Sequence, residues 1–123
     1  MSSVERAAPI FAALGDPTRL ALVARLSDGQ PRSIAALSGD ARITRQAVSK
    51  HLRVLAGAGL VRWERVGRET RYVYRPEAVR EARSWLDRVA AQWDDALGRL
   101  QRFVEAGEVP PPRRGMTRRR GGR

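Results

Sequence analysis

Residues 45–61 read RQAVSKHLRVLAGAGLV and predict an amphipathic helix that ends at the glycine-rich GAG of 57–59. Its apolar residues, which recur at the spacing of one helical face, are Val48, Leu52 and Leu55. The only lysine and the only histidine of the chain, Lys50 and His51, are neighbours in this helix. The chemistry of its polar face is therefore the central question of the sequence.

The face opposite the apolar stripe is rich in hydrogen-bond donors. It carries Arg45, Gln46, Ser49 and Lys50. Such side chains bond phosphates or read base edges, and they lie toward the N-terminal half, where a recognition helix enters the major groove. Thr44 caps the helix, and His51 and Arg53 flank the face within reach of a sugar–phosphate backbone. We predict that residues 44–56 bind nucleic acid; an ordinary solvated face is the alternative.

Catalysis is a poor explanation of the same stretch. Ser49 and His51 are two positions apart, so on a helix they point about 200° away from each other and cannot form a nucleophile–base pair. The chain has no second histidine, no cysteine and no glycine-rich phosphate loop. A transition-metal site would need several histidines or cysteines. We predict that the protein is not an enzyme and holds neither a cofactor nor a metal.

Positive charge is concentrated in two segments. The chain has 24 lysines and arginines against 13 aspartates and glutamates, a net charge of +11. Residues 41–75 hold nine basic and two acidic side chains, and residues 106–123 hold six and one. This distribution predicts a polyanionic partner, with double-stranded DNA favoured over a membrane surface. Residues 1–19 lack the pattern of a signal peptide or membrane span, so we expect a soluble, cytoplasmic protein.

Three helices are predicted before the polar helix. The first covers residues 4–14. The second begins at the Asp-Pro pair of 16–17, which supplies an N-cap and a first-turn proline. Its apolar residues, expected to be mostly buried, are Leu20, Leu22, Val23 and Leu26. A short third helix, capped by Ser33, runs through Leu37, and the turn SGDAR follows at 38–42.

A β-hairpin is predicted after the polar helix. The segments LVRWERV at 60–66 and TRYVYR at 70–75 are rich in aromatic and β-branched residues at alternating positions, and GRE at 67–69 joins them. Such a basic ribbon can lie along a minor groove and its phosphates. The basic residues concerned are Arg65, Arg68 and Arg71. Packing rather than base stacking is expected of Trp63, Val66, Tyr72 and Tyr74.

A helix of nearly thirty residues is predicted from Glu77 to Glu105. Apolar residues follow one another at spacings of 4, 3, 4, 3, 4 and 3, the seam of a helix that packs against another helix. They are Ala82, Leu86, Val89, Trp93, Ala96, Leu100 and Phe103. A small domain has little use for so long a helix, so we predict a homodimer joined along this seam. Coverage of the domain's own core is the alternative.

The composition changes after Ala106, where proline, glycine and arginine dominate. Such a segment cannot bury a core. We therefore predict one DNA-binding and dimerisation domain at 1–105 and a disordered tail at 106–123. The arginines of this tail either add non-specific phosphate contacts or form a solvated appendage.

Three segments resemble the ArsR-type winged helix-turn-helix repressors in order and spacing. They are ALGDPTRLALVARL at 13–26, ITRQAVSKHLRVLAGAGLV at 43–61 and RWERVGRETRYVYR at 62–75. The resemblance covers about residues 7–105. It implies a mainly α fold with a two-stranded β-hairpin wing, joined into a homodimer through the first and last helices. It also implies binding of an inverted-repeat operator near a promoter and repression of transcription.

By position, the groove-facing residues of that family fall on Arg45, Gln46, Ser49 and Lys50, and its wing contacts fall around 65–71. Its metal-sensing members use a cysteine pair before the recognition helix, or histidines and carboxylates on the last helix. Here the first region reads SIAALSGDARI and the last helix has no histidine. The chain therefore resembles the metal-independent, autorepressor-like branch.

Two questions stay open at this point. The signal that releases DNA is not encoded in any motif, and an unknown small-molecule effector beside Trp85 or Trp93 is one partner to consider. The alternative function is a non-specific nucleic-acid-binding or protein-interaction module. In that case the basic tail supplies most of the affinity.

Overall fold

The computed structural model describes residues 1–39 and 42–107. In chain order the elements are α1 (Ser3–Leu14), α2 (Pro17–Leu26), β1 (Arg32–Ser33), α3 (Ile34–Gly39), α4 (Arg45–Gly57), β2 (Val61–Val66), β3 (Glu69–Tyr74) and α5 (Pro76–Glu105). The chain divides into two units, Met1–Leu86 and Asp87–Arg123. Most of the predicted tail and two residues of the predicted SGDAR turn lie outside the described residues.

Side-chain caps begin the first two helices. The Ser2 hydroxyl accepts a hydrogen bond from the Glu5 N–H at 3.2 Å, and the Glu5 carboxylate accepts one from the Ser2 N–H at 2.9 Å, which forms a capping box. Asp16 caps α2 by accepting from the Arg19 N–H at 3.0 Å, and Pro17 starts the helix. The predicted start of α2 is confirmed, and α1 begins one residue earlier than predicted.

A third strand joins the predicted hairpin. β1 pairs antiparallel with β3, with Arg32 opposite Tyr72 and Ser33 opposite Arg71, so the sheet order is β1-β3-β2. The predicted hairpin of β2 and β3 is confirmed, and β1 adds a third strand that is too short to show an alternation of apolar and polar residues in the sequence. Ser33 also caps α3 by accepting from the Ala36 N–H at 3.1 Å, as predicted.

The two ends of α4 are fixed by local hydrogen bonds. The Thr44 hydroxyl accepts from a first-turn N–H at 3.1 Å, which confirms the predicted cap. At the other end the Leu60 N–H bonds the Leu55 carbonyl and the Gly59 N–H bonds the Ala56 carbonyl, both at 3.0 Å. Gly59 adopts a φ of 77°, as the Schellman motif requires. The glycine-rich segment thus turns the chain directly into β2.

The core of the first unit is formed by α1, α2, α3, α4, the hairpin and the start of α5. Its fully buried side chains are Leu26, Leu37, Val48, Leu52, Leu55 and Leu60, each at 0% exposure. Leu22 and Val23 are also buried, as predicted, but Leu20 is 54% exposed. The buried face of α2 is centred on Leu22, Val23 and Leu26, and Leu20 lies to one side of it.

The two aromatic residues opposite each other in the hairpin differ in burial. Trp63 pairs with Tyr72, but Trp63 is 62% exposed whereas Tyr72 is 6% exposed. Tyr72 lies on the central strand β3 between β1 and β2, whereas Trp63 lies on the edge strand β2, two residues nearer the hairpin tip than the buried Val61. The predicted core role of Trp63 is therefore wrong, and Val66 near the hairpin tip is also exposed.

The burial of apolar side chains decreases along α5. Ala78 and Ala82 are buried. The later seam residues are 37–64% exposed and comprise Leu86, Val89, Trp93, Leu100 and Phe103. Among the described helices none is long and apolar enough to cross a membrane.

Candidate nucleic-acid interface

The orientation of α4 is set by its apolar stripe. Val48, Leu52 and Leu55 are fully buried against the rest of the first unit. The opposite side of α4 therefore faces outward, because apolar residues at this helical spacing occupy only one side of a helix. We call this side the polar face of α4; it comprises Arg45, Gln46, Ser49 and Lys50. The structure leaves three of the four side chains exposed and Ser49 half-buried.

The residues predicted to flank the polar face have different surroundings. Arg53 is exposed, and its Nη2 lies 3.5 Å from the Ser49 hydroxyl, at the limit of a hydrogen bond. The Thr44 hydroxyl is engaged as the helix cap. His51 is half-buried and its ring is turned toward the start of α2.

The tip of the wing is a two-residue turn. Val66 pairs with Glu69, which leaves Gly67 and Arg68 between the strands. Gly67 has a φ of 64°, the left-handed conformation that glycine provides at the first central position of a type II′ turn. Arg68 is therefore exposed at the end of the hairpin.

The other predicted wing residues, Arg65 and Arg71, lie on opposite faces of the hairpin. Arg65 pairs with Thr70 and Arg71 with Glu64, and adjacent pairs alternate between the two faces. Arg71 also donates to the Glu69 carboxylate at 2.8 Å. Within the described part of the chain Arg65 and Arg68 have no ion-pair partner, so they supply most of the free positive charge of the wing.

A cluster that the sequence analysis did not find joins α2 to α4. The Arg19 Nε donates to the Ala13 carbonyl at 2.6 Å, and its Nη1 lies 3.3 Å from the His51 Nδ1. The Asp16 Oδ2 lies 3.9 Å from the same ring nitrogen. We call Asp16, Arg19 and His51 the Arg19 junction. Its members are up to 35 positions apart, and no local pattern connects them.

Charge and hydrogen bonding act together on Asp16. The backbone N–H of Arg19 holds the pKa of the Asp16 carboxyl below its usual range, and the charge of Arg19 lowers it further. Asp16 therefore stays ionised at neutral pH.

Arg42 is a second residue that the sequence analysis did not single out. It lies two positions before Thr44 with a φ of 55°, and its side chain is exposed. The left-handed backbone turns the chain into α4, and the position adds a basic side chain beside the N-terminal end of the polar face. Its place in the basic segment of 41–75 was the only sequence signal.

No metal or cofactor site is apparent in the part of the chain that the structure describes. Groups of three or more histidine, aspartate or glutamate side chains at ligating distance are absent from these residues. A hollow of about 520 Å³ is lined by parts of α1, α4 and α5. Four of its charged residues form two ion pairs, Arg6 with Glu81 at 3.6 Å and Arg75 with Glu77 at 3.5 Å.

Helix α4 buries one apolar stripe and exposes a basic face. A short helix precedes it and a basic hairpin follows it. This arrangement defines a winged helix-turn-helix DNA-binding protein. Residues 14–62 match the model of a helix-turn-helix domain family.

Curated relatives agree with this class. The chain is 36% identical over 94 residues to the transcriptional regulator Rv2034 of Mycobacterium tuberculosis, which covers 76% of this chain and 84% of the relative. It is 35% identical over 94 residues to the transcriptional repressor SmtB of the same species, covering 76% and 67% respectively.

Solved structures agree as well. An ArsR-like transcriptional regulator from Rhodococcus sp. RHA1 superposes with a TM-score of 0.73 at 33% identity, over 84% of this chain and 96% of that one. The homodimeric winged helix-turn-helix DNA-binding domain of Mb0332 from Mycobacterium bovis gives a TM-score of 0.58 at 25% identity, over 72% and 82%. The chain belongs to the ArsR family of transcriptional regulators. This is a non-enzymatic class, as the sequence predicted.

Proposed function

We propose that the protein is a homodimeric transcriptional repressor that binds an inverted-repeat DNA operator. The observation that carries this proposal is the exposure of the polar face of α4 beside a wing with free arginine charge. Two copies would place their α4 helices in successive major grooves, about 34 Å apart from centre to centre.

Within one protomer the predicted contacts divide into two kinds. Arg45 and Gln46, exposed in the first turn of α4, are the candidates for reading base edges. The remaining predicted residues fix the position of the protein on sugar and phosphate. They are Thr44, Ser49, Lys50, His51, Arg53, Arg65, Arg68 and Arg71. We expect Arg71 to contribute least, because Glu69 already neutralises it.

Dimerisation is supported by the state of the α5 seam. Leu86, Val89, Trp93, Leu100 and Phe103 repeat at heptad spacing and are 37–64% exposed in the single chain. Exposed apolar residues in such a regular row are typical of an interface between protein chains. A partner chain would cover them, and the Mycobacterium bovis neighbour is described as homodimeric. We accordingly assign residues 1–105 to one DNA-binding and dimerisation domain and 106–123 to a tail.

Metal-independent regulation is supported by the residues available. The chain has no cysteine and one histidine, and that histidine is engaged with Arg19. Soft metal ions need several such ligands. We therefore place the protein in the metal-independent branch of the family, with a release signal that is not a soft metal.

Selection from a library of random DNA duplexes with the full-length protein tests the operator directly. The proposal predicts enrichment of a two-fold inverted repeat whose half-sites are about 10–10.5 base pairs apart. Enrichment of a single unpaired half-site would contradict the dimer. Failure to enrich any consensus would favour the alternative function, in which the six arginines of residues 113–123 supply non-specific affinity.

A further inference from the structure

The Arg19 junction joins three helices. The guanidinium of Arg19 donates to two carbonyls in the last turn of α1, those of Ala13 at 2.6 Å and Ala12 at 3.4 Å. That turn contains no basic residue of its own. Arg19 itself lies in the first turn of α2, and its third contact is to His51 in the middle of α4. One side chain therefore ties the position of α4 to the end of α1.

This contact can be a hydrogen bond with only one neutral tautomer of His51. Arginine carries only donors and keeps its charge, so the 3.3 Å contact is a hydrogen bond only if Nδ1 accepts it. A neutral imidazole with a lone pair on Nδ1 carries its proton on Nε2. Nε2–H is thus a hydrogen-bond donor, and no described residue accepts from it.

Asp16 acts on this arrangement through its charge. Its Oδ2 is 3.9 Å from Nδ1, too far for a hydrogen bond, and its negative charge attracts the Arg19 guanidinium. The same oxygen accepts from the Arg19 backbone N–H at 3.0 Å, which holds Arg19 in place at the start of α2. Asp16 therefore orients the residue that orients His51.

We propose that Arg19 is a positioning residue for DNA binding: through Nδ1 of His51 it fixes α4 against α1 and presents Nε2–H of His51 to a DNA phosphate. This inference rests on the proposed function, since the phosphate belongs to DNA bound by α4. The two ring nitrogens of His51 therefore have different roles. Nδ1 stabilises the fold and Nε2 contributes to affinity.

Two substitutions of His51 test the roles of Nδ1 and Nε2 separately. In His51→Asn the side-chain oxygen takes the place of Nδ1 as acceptor for Arg19, but no donor reaches the position of Nε2. In His51→Gln the longer side chain carries an amide donor near the position of Nε2, but the acceptor for Arg19 is lost. We would measure the melting temperature and the affinity for a duplex selected by the full-length protein, at a temperature where circular dichroism shows each variant folded.

We expect opposite outcomes for the two variants. His51→Asn should melt at the wild-type temperature and bind DNA roughly tenfold more weakly, since one hydrogen bond to a charged group is lost. His51→Gln should bind within about threefold of wild type and melt roughly 4–8 °C lower, the shift typical for loss of one hydrogen bond in a domain of this size. Equal losses in both variants, or a reversed pattern, would overturn the inference.

Nitrogen NMR of the imidazole ring provides a second test on the unmodified protein. The chain has one histidine, so its ring signals need no assignment by mutation. We expect the Nε2–H tautomer in wild type and a shift of the Nδ1 signal in Arg19→Met, with Arg80→Met, an exposed arginine of α5, as control. Observation of the Nδ1–H tautomer in wild type, or of an Nδ1 signal that is unchanged in Arg19→Met, would overturn the inference. If the wild-type protein bound the selected operator no better than random DNA, the proposed function would be overturned instead.

Discussion

The ring of Phe11 in α1 meets the ring of Trp85 in α5 edge to face, with centroids 5.7 Å apart and ring planes at 65°. This geometry lets the positive edge of one ring approach the negative face of the other. The contact attaches the start of α5 to α1 within the first unit. Trp85 is thereby engaged in packing.

Replacing Phe11 should destabilise the first unit. We expect Phe11→Leu to lower the free energy of unfolding by about 1–2 kcal/mol, because the aromatic pair and some apolar contact area are lost. Urea denaturation at fixed protein concentration measures this. Leu20→Ala, at an exposed apolar position of α2, is the control. A loss no larger than that of the control would contradict the packing role.

A charge in the α5 seam should separate the proposed dimer. Trp93 lies in the seam and is 64% exposed in the single chain, so Trp93→Glu would bury a carboxylate in the interface. We expect a monomer by sedimentation at micromolar concentration. Ala91→Glu places the same charge on the opposite side of the helix and should leave the dimer intact. Equal behaviour of the two variants would rule out the seam as the interface.

Substitution at the start of α4 should reduce specificity. Arg45→Ala or Gln46→Ala is expected to weaken binding to the selected operator about 5- to 150-fold, the usual value of a bidentate base contact. Binding to random duplexes should change much less. Competition titrations with both duplexes measure the ratio, and equal losses on the two would show that these side chains contact only the backbone.

Removal of the wing-tip arginine should act on all DNA alike. Arg68→Ala is expected to weaken operator and random DNA together and to reduce the slope of log affinity against log salt by about one. Arg71→Ala should have the smaller effect, because Glu69 already pairs with Arg71 at 2.8 Å. An effect of Arg68→Ala confined to the operator would point to base contacts by the wing.

Acid should weaken the fold through carboxylates that accept hydrogen bonds. Arg32 donates to Asp28 at 2.7 and 2.9 Å and holds the pKa of that carboxyl well below its usual range. The backbone N–H of Ser2 similarly lowers the pKa of Glu5. A depressed folded-state pKa gives stability that is present above the unfolded pKa, about 3.9 for aspartate, and is lost as pH falls through the folded value.

We therefore expect the contribution of these carboxylates to the free energy of unfolding to be fully present near neutral pH and to be lost below about pH 4. Asp28→Asn should flatten this decline slightly, since an exposed pair contributes little. Urea denaturation between pH 2 and 7 measures both curves. A variant curve as steep as that of wild type would show that the Asp28–Arg32 pair does not contribute.

Features encoded in consecutive residues could be predicted from the sequence. The caps Asp16 and Thr44, the Schellman end of α4 and the hairpin all follow from short-range chemistry, and α4 shows the predicted buried stripe. Features that depend on sheet order or distant partners could not be predicted. Trp63 lies exposed on the edge strand β2, and Arg19 meets His51 across 32 positions of sequence.

We expect the winged domain, rather than general attraction to the basic tail, to determine which DNA sequence the protein binds. Fluorescence anisotropy would compare a selected duplex with a scrambled duplex of equal composition, at several salt concentrations. The full-length protein would be measured beside a full-length variant with glutamine in place of Arg113, Arg114, Arg118, Arg119, Arg120 and Arg123. We predict a preference of about a thousandfold or more for the selected duplex in both proteins. If the protein bound both duplexes with equal affinity and this affinity disappeared in the glutamine variant, sequence-specific binding by the winged domain would be contradicted.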